Sequence, residues 1–111
     1  MTATKDEYRQ IWIDALRSGR FAQTTGGLRD DTGFCCLGVA ADILGGGWWG
    51  NRDSGRYDYH TDDGWSCIGN MPPTLRDELG LTDNDVRQLT NMNDFEEKTF
   101  AEIADYIEAL P

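Results

Sequence analysis

Two periods of apolar residues alternate along this chain, and the places where one gives way to the other mark its elements. Tyr8, Ile11, Trp12, Ala15 and Leu16 fall at i, i+3, i+4, i+7 and i+8, the spacing that gathers apolar side chains on one helical face. Thr4-Lys5-Asp6-Glu7 ahead of them fits a capping box, and Ser18-Gly19 behind them fits a stop, so a helix is predicted over 4–18. The same period returns at the other end. Phe100, Ile103, Ala104, Ile107 and Leu110 follow Thr99-Phe100-Ala101-Glu102, a second capping box, and predict a helix over 99–110.

Between these ends the pattern is shorter in range. Residues 20–33 are rich in turn formers and predict a loose hairpin around Gly26-Gly27. The run CCLGVAADIL predicts a helix over 34–44, closed by Gly45-Gly46-Gly47. Gly38 inside it costs about 1 kcal/mol relative to Ala, which predicts close approach of another backbone, here expected to be the first helix. Alternation at Tyr57 and Tyr59, then at Trp65 and Cys67, with Asp63-Gly64 between, predicts an irregular hairpin over 56–69. Pro72-Pro73 opens a helix over 73–79 ended by Gly80, and Thr82 caps another over 82–90 that carries Val86 and Leu89. The expected fold is α+β: one small, mostly helical domain over 1–111 with a short antiparallel hairpin element.

Charge narrows the partners. The 111 residues carry a formal net charge of −10 and a pI near 4.3, a balance that disfavours direct binding to nucleic acid and favours encounter with a basic protein surface. Solubility alone is the plainer reason for the same acidity. From Arg76 onward ten acidic residues face only Arg76, Arg87 and Lys98, so Asp77, Glu78, Asp83, Asp85, Asp94, Glu96 and Glu97 form the expected acidic docking surface. No stretch is long and apolar enough to span a membrane. MTATKDEY has no apolar run, so no secretion signal is expected, and three cysteines, two of them adjacent, fit a reducing cytoplasm.

The paired cysteines raise a chemical question. Cys35 stands where a helix start lowers a thiol pKa, and the sole histidine, His60, is the base a cysteine-dependent hydrolase would need, with Asp62, Asp63 or Asn70 to orient it. A small core residue is the plainer reading of Cys35. Cys35, Cys36, Cys67 and His60 number four, as zinc requires, but lack C-x-x-C spacing. The aspartates at 53, 58, 62 and 63 do not follow a calcium loop. No metal and no cofactor is expected.

A second constellation points to an anion. Arg17, Arg20, Gln23, Thr24, Thr25 and Arg29 precede the amides of Gly33, Phe34, Cys35 and Cys36, and a helix N-terminus with forked guanidinium donors nearby suits a phosphate, a nucleotide or a carboxylate. Trp48, Trp49 and Trp65 would supply stacking faces. Surface ion pairs worth about 0–1 kcal/mol account for the same arginines more simply. An exposed Trp48-Trp49 pair would suit a contact between two copies of the chain.

Two segments resemble a known group. WIDALRSGRFAQTTGGLRDDTGFCCLGVAADIL (12–44) and LTNMNDFEEKTFAEIADYIEAL (89–110) are similar to small uncharacterised proteins encoded by bacteriophages and prophages. The resemblance implies a protein made in the bacterial cytoplasm, with no established activity to transfer. Such proteins often act by binding. The expected function is therefore a non-enzymatic accessory protein that modulates a host or anti-phage defence system, either by docking its acidic surface on a basic protein in imitation of nucleic acid or by sequestering a small anionic signal. Salt separates the two, because surface docking is screened more than an enclosed pocket.

Overall fold

Three threonines set three helix starts. In the computed structural model, which describes residues 4–51 and 55–111, α1 (Lys5–Arg17), α4 (Asp83–Asp94) and α5 (Phe100–Glu108) each begin behind a reciprocal capping box. Thr4 pairs with Glu7, Thr99 with Glu102, and Thr82 with Asp85, an aspartate doing what glutamate does in the other two. Asp53 lies outside the described residues.

The buried stripe of α1 runs one position away from the predicted one. Arg9, Trp12, Ile13 and Leu16 are buried, with Ala15 beside them, while Ile11 is 47% exposed. These buried positions are themselves spaced i, i+3, i+4 and i+7, but the first is an arginine, which hides the stripe from a hydrophobicity pattern. Arg9 is stable there because its guanidinium meets orphan carbonyls at two helix ends. Nε donates to Leu79 O at 2.7 Å and a terminal nitrogen to Gly80 O at 3.1 Å, beyond α3 (Pro73–Glu78). The other terminal nitrogen donates to Pro111 O at 2.8 Å and Leu110 O at 3.4 Å, beyond α5. A buried cation is tolerated when each of its nitrogens is engaged, and here it also complements the negative ends of both helix dipoles.

The predicted first hairpin exists but turns elsewhere. β1 (Arg29–Asp30) pairs with β2 (Gly33–Phe34) around Asp31-Thr32, not around Gly26-Gly27. The turn is held by Asp30, whose carboxylate accepts from the Thr24 and Thr32 hydroxyls and from the amides of Thr32 and Gly33. Partial burial pushes that carboxyl up, but the four donors outweigh it and bring it down to about 2. Phe34 is thus a strand residue, and α2 runs Cys36–Leu44, shorter at its start than the predicted 34–44. A third strand extends the second hairpin: β3 (Trp48–Asn51), β4 (Tyr57–His60) and β5 (Ser66–Cys67) form an antiparallel sheet in that order. The WWGN segment lies outside the predicted hairpin over 56–69, yet pairs with β4 along its whole length. Helix α4 also continues to Asp94, past the predicted end at 90.

The architecture is α+β, with five helices and two small antiparallel sheets among the described residues. Helix α1 packs on α5 and α2, and α4 packs on α2 and α5. Trp12, Leu28, Leu37, Val39, Tyr59, Leu79, Leu89, Ile103 and Ile107 fill the centre, each at most 1% exposed. Among the described residues no helix is long and apolar enough to cross a membrane.

Candidate functional site

The start of α2 is where sequence placed both the nucleophile and the anion site, and its donors are taken by the protein itself. The Gly33 amide donates to Asp30 Oδ1 at 3.1 Å, Phe34 N to Ala22 O at 2.9 Å and Cys35 N to Leu28 O at 2.9 Å. The Cys36 amide donates to Asn93 Oδ1 at 3.2 Å, and the Gly38 amide to Cys35 Sγ at 3.4 Å. The acceptor that a bound anion would have provided is therefore an asparagine from α4. This corrects the expectation of free amides between Gly33 and Cys36.

Asn93 is buried and bonds to the start of α2, to the loop before β1 and to its own neighbour in α4. Its Oδ1 also accepts from Gln23 Nε2 at 2.9 Å, and its Nδ2 donates to Thr24 O and Asp94 Oδ1, both at 2.8 Å. The orientation is fixed, because the Cys36 amide only donates and the Thr24 carbonyl only accepts. Gln23 donates its second proton to Lys98 O at 2.8 Å. Gln23 and Cys36 lie in the stretch 12–44 and Asn93 in 89–110, so the two stretches meet in one polar joint.

The cysteines belong to the same joint. Cys35 is the N-cap of α2 through its sulfur, and burial pushes its thiol up to about 12. Burial likewise raises Cys36 well above the ordinary thiol range, and its Sγ donates toward Leu89 O at 3.7 Å. Beside them a void of about 10 Å³ has room for no more than a water molecule. His60 sits on β4 with its ring stacked on Trp48 at 5.5 Å, and among the described residues no hydrogen bond joins it to Cys35. Nor is any group of three or more His, Cys, Asp or Glu arranged to hold a metal among those residues.

The loop arginines do not converge. Arg17 pairs with Asp105 at 2.6 Å and Glu108 at 3.2 Å on α5. Arg20 lies over the Phe21 ring at 5.6 Å. Arg29 lies over Phe34, Trp49 and Tyr57 at 5.0, 5.5 and 4.5 Å, crossing a row of aromatic rings that runs Phe21–Phe34–Trp49–Tyr59. Thr25 is exposed in the loop. The Trp48-Trp49 pair is split by strand alternation: Trp49 joins the aromatic row and donates to Asp42 at 3.0 Å, while Trp48 faces outward, 52% exposed. Trp65 stands apart from both, between two surface grooves.

Acidic groups border α3 and α4. Asp77 and Asp83 flank Arg76 at 3.4 and 2.8 Å, Asp85 closes the Thr82 capping box and Asp94 accepts from Asn93. The side chains of Glu78, Glu96 and Glu97 are exposed and, among the described residues, make no hydrogen bond or ion pair. Asp83 and Asp94 mark the two ends of α4, about 17 Å apart at 1.5 Å per residue. Positive charge is treated differently. Lys5 and Arg9 serve carbonyls, Arg56 donates to Gly26 O, and Lys98 sits 4.0 Å from Glu102. Among the described residues Arg87 is the one cation with no hydrogen bond, ion pair or ring contact.

Arg87 was missed by sequence reasoning, as were Arg9 and Asn93. Asp83 lies at i−4 from Arg87, the spacing of a helical ion pair, yet Asp83 binds Arg76 instead. Arg9 and Asn93 gave no signal because polar residues are expected outside unless their partners are known. Residues 4–110 match a family described as a domain of unknown function, DUF8296. No curated protein and no solved structure matches the chain.

Proposed function

The chain belongs to the DUF8296 family, and for this member we propose action by binding: it docks the acidic face around α3 and α4 on a basic surface of a host or defence-system protein. One observation carries this reading. The described lysines and arginines other than Arg87 are spent on the protein's own carbonyls, rings and carboxylates, so the charge of −10 is turned outward with little positive charge to interrupt it. Carboxylates at both ends of α4 present a rigid spacing to a partner whose cations would otherwise hold phosphates. The raised thiols of Cys35 and Cys36 make a cysteine nucleophile the weaker reading. The phage-type origin and cytoplasmic setting drawn from the resemblance are consistent with such a role.

The test is capture from bacterial lysate on the immobilised protein, across a salt series, beside a variant carrying Asp77→Asn, Glu78→Gln, Glu96→Gln and Glu97→Gln. These four side chains cap no helix. The expected result is a basic partner that is retained at low salt and released as salt rises, with affinity at least about tenfold weaker for the variant. A partner held equally by both proteins at every salt concentration would overturn the reading, as would no specific partner.

A further inference from the structure

The groove between the β5–α3 connection and α4 has properties the acidic face lacks. Its volume is about 460 Å³, within the range of small-molecule sites. Arg87 lines it, and is the described cation left without a protein partner. Arg76 and Asp83 line it as well, paired with each other at 2.8 Å. Trp65 lines it too, and also lines the neighbouring groove. The Trp65 indole N–H and the side-chain amides of Asn70 and Asn91 supply polar groups; among the described residues the indole N–H, the Asn91 side chain and the Asn70 amide nitrogen have no hydrogen-bond partner. An unpaired guanidinium, a large aromatic surface and two planar amides along one groove match three parts of a ligand: an anionic group, a flat ring and a heteroatom edge.

We infer that this groove is a binding site for a small heteroaromatic phosphate of the mononucleotide class, with Arg87 on the phosphate, Trp65 against the base, and Asn70 and Asn91 on its edge. The site is distinct from the start of α2, where the amides are filled internally, and its occupancy does not depend on the docking of a protein partner. The groove lies beside the Asp77–Asp83 end of the acidic face, so a bound phosphate would add negative charge next to that face.

The experiment is titration of the 111-residue chain with adenosine, guanosine, cytidine and uridine monophosphates, followed by backbone and indole N–H shifts, with adenosine and inorganic phosphate as partial probes. At least one monophosphate is expected to give saturable shifts at Asn70, Arg87 and Asn91 and at the Trp65 indole. Arg87→Gln should weaken that binding about tenfold or more, while leaving adenosine binding within about twofold. Arg87 is exposed and unpartnered, so this variant folds as the parent does. No saturable shift with any of the four, shifts confined to other surfaces, or equal affinity in Arg87→Gln would each overturn the assignment. None of these results bears on capture of a basic protein, which is read with macromolecules alone.

Discussion

Replacing Asn93 by Ala is expected to destabilise the fold by about 3–4 kcal/mol. The substitution deletes the acceptor of the Cys36 amide and of Gln23, and the donor to Thr24 O, and leaves these groups partly or wholly out of reach of water. Each buried polar group left unpaired costs about 1–3 kcal/mol, less where local relaxation admits a water. That is a large share of the roughly 5–15 kcal/mol available to a domain. Urea denaturation monitored by circular dichroism should show a midpoint lowered by about 1–3 M with little change in slope. Gln23→Ala, which removes the outer member of the joint only, should cost about 1 kcal/mol. An Asn93→Ala protein as stable as the parent would mean that the α2 start finds its acceptor elsewhere.

Gly38→Ala should be similarly damaging, although the same change in an ordinary helix adds about 1 kcal/mol of stability. A methyl at position 38 would lie 1.9 Å from the Leu28 carbonyl oxygen. That oxygen is not free to retreat, since it accepts the Cys35 amide, and the Leu28 amide is held by Ile68 O at 2.8 Å. The loop before β1, the α2 N-cap and the β5 connection must therefore move together, and a cost of about 3 kcal/mol or more is expected from overpacking against fixed backbone. A thermal melt distinguishes the outcomes by sign: a fall in Tm is predicted, whereas a rise would show that the approach is loose.

These two positions also show what could be read from sequence and what could not. Gly38 announced a close approach, because glycine inside an apolar helix needs a reason, but the partner was expected to be α1 and is the Leu28 backbone. Pattern identified the helices well where a threonine cap and an apolar stripe coincide, as in α1 and α5. It failed where the decisive contact is polar and distant in sequence. Arg9 belongs to the buried stripe of α1 only because two helix ends, 70 and about 100 residues away, bring carbonyls to it. Asn93 reads as a surface residue near a helix end until Cys36, Gln23 and Thr24 are placed around it. The candidate anion site shared that weakness. The amides at 33–36 are expected to be free, but the chain supplies an acceptor to each: Asp30, the Ala22 and Leu28 carbonyls, and Asn93. The arginines expected to complete the site go instead to α5 and to aromatic rings, while the unpaired one among the described residues, Arg87, lies on α4, outside that constellation.

At the centre is the claim that the paired-cysteine helix start is a structural joint, with its thiols protonated and its amides filled, and not a reactive site. Alkylation by iodoacetamide under native conditions near neutral pH, with each cysteine followed by mass spectrometry, tests this most directly. A thiol raised to about 12 is almost wholly protonated there, and Cys35 and Cys36 are buried while Cys67 on β5 is partly exposed. Modification of Cys67 alone is predicted, with Cys35 and Cys36 reacting only when urea opens the fold. Alkylation of Cys35 as fast as that of Cys67, or faster, in the native protein would contradict the claim and restore Cys35 as a nucleophile.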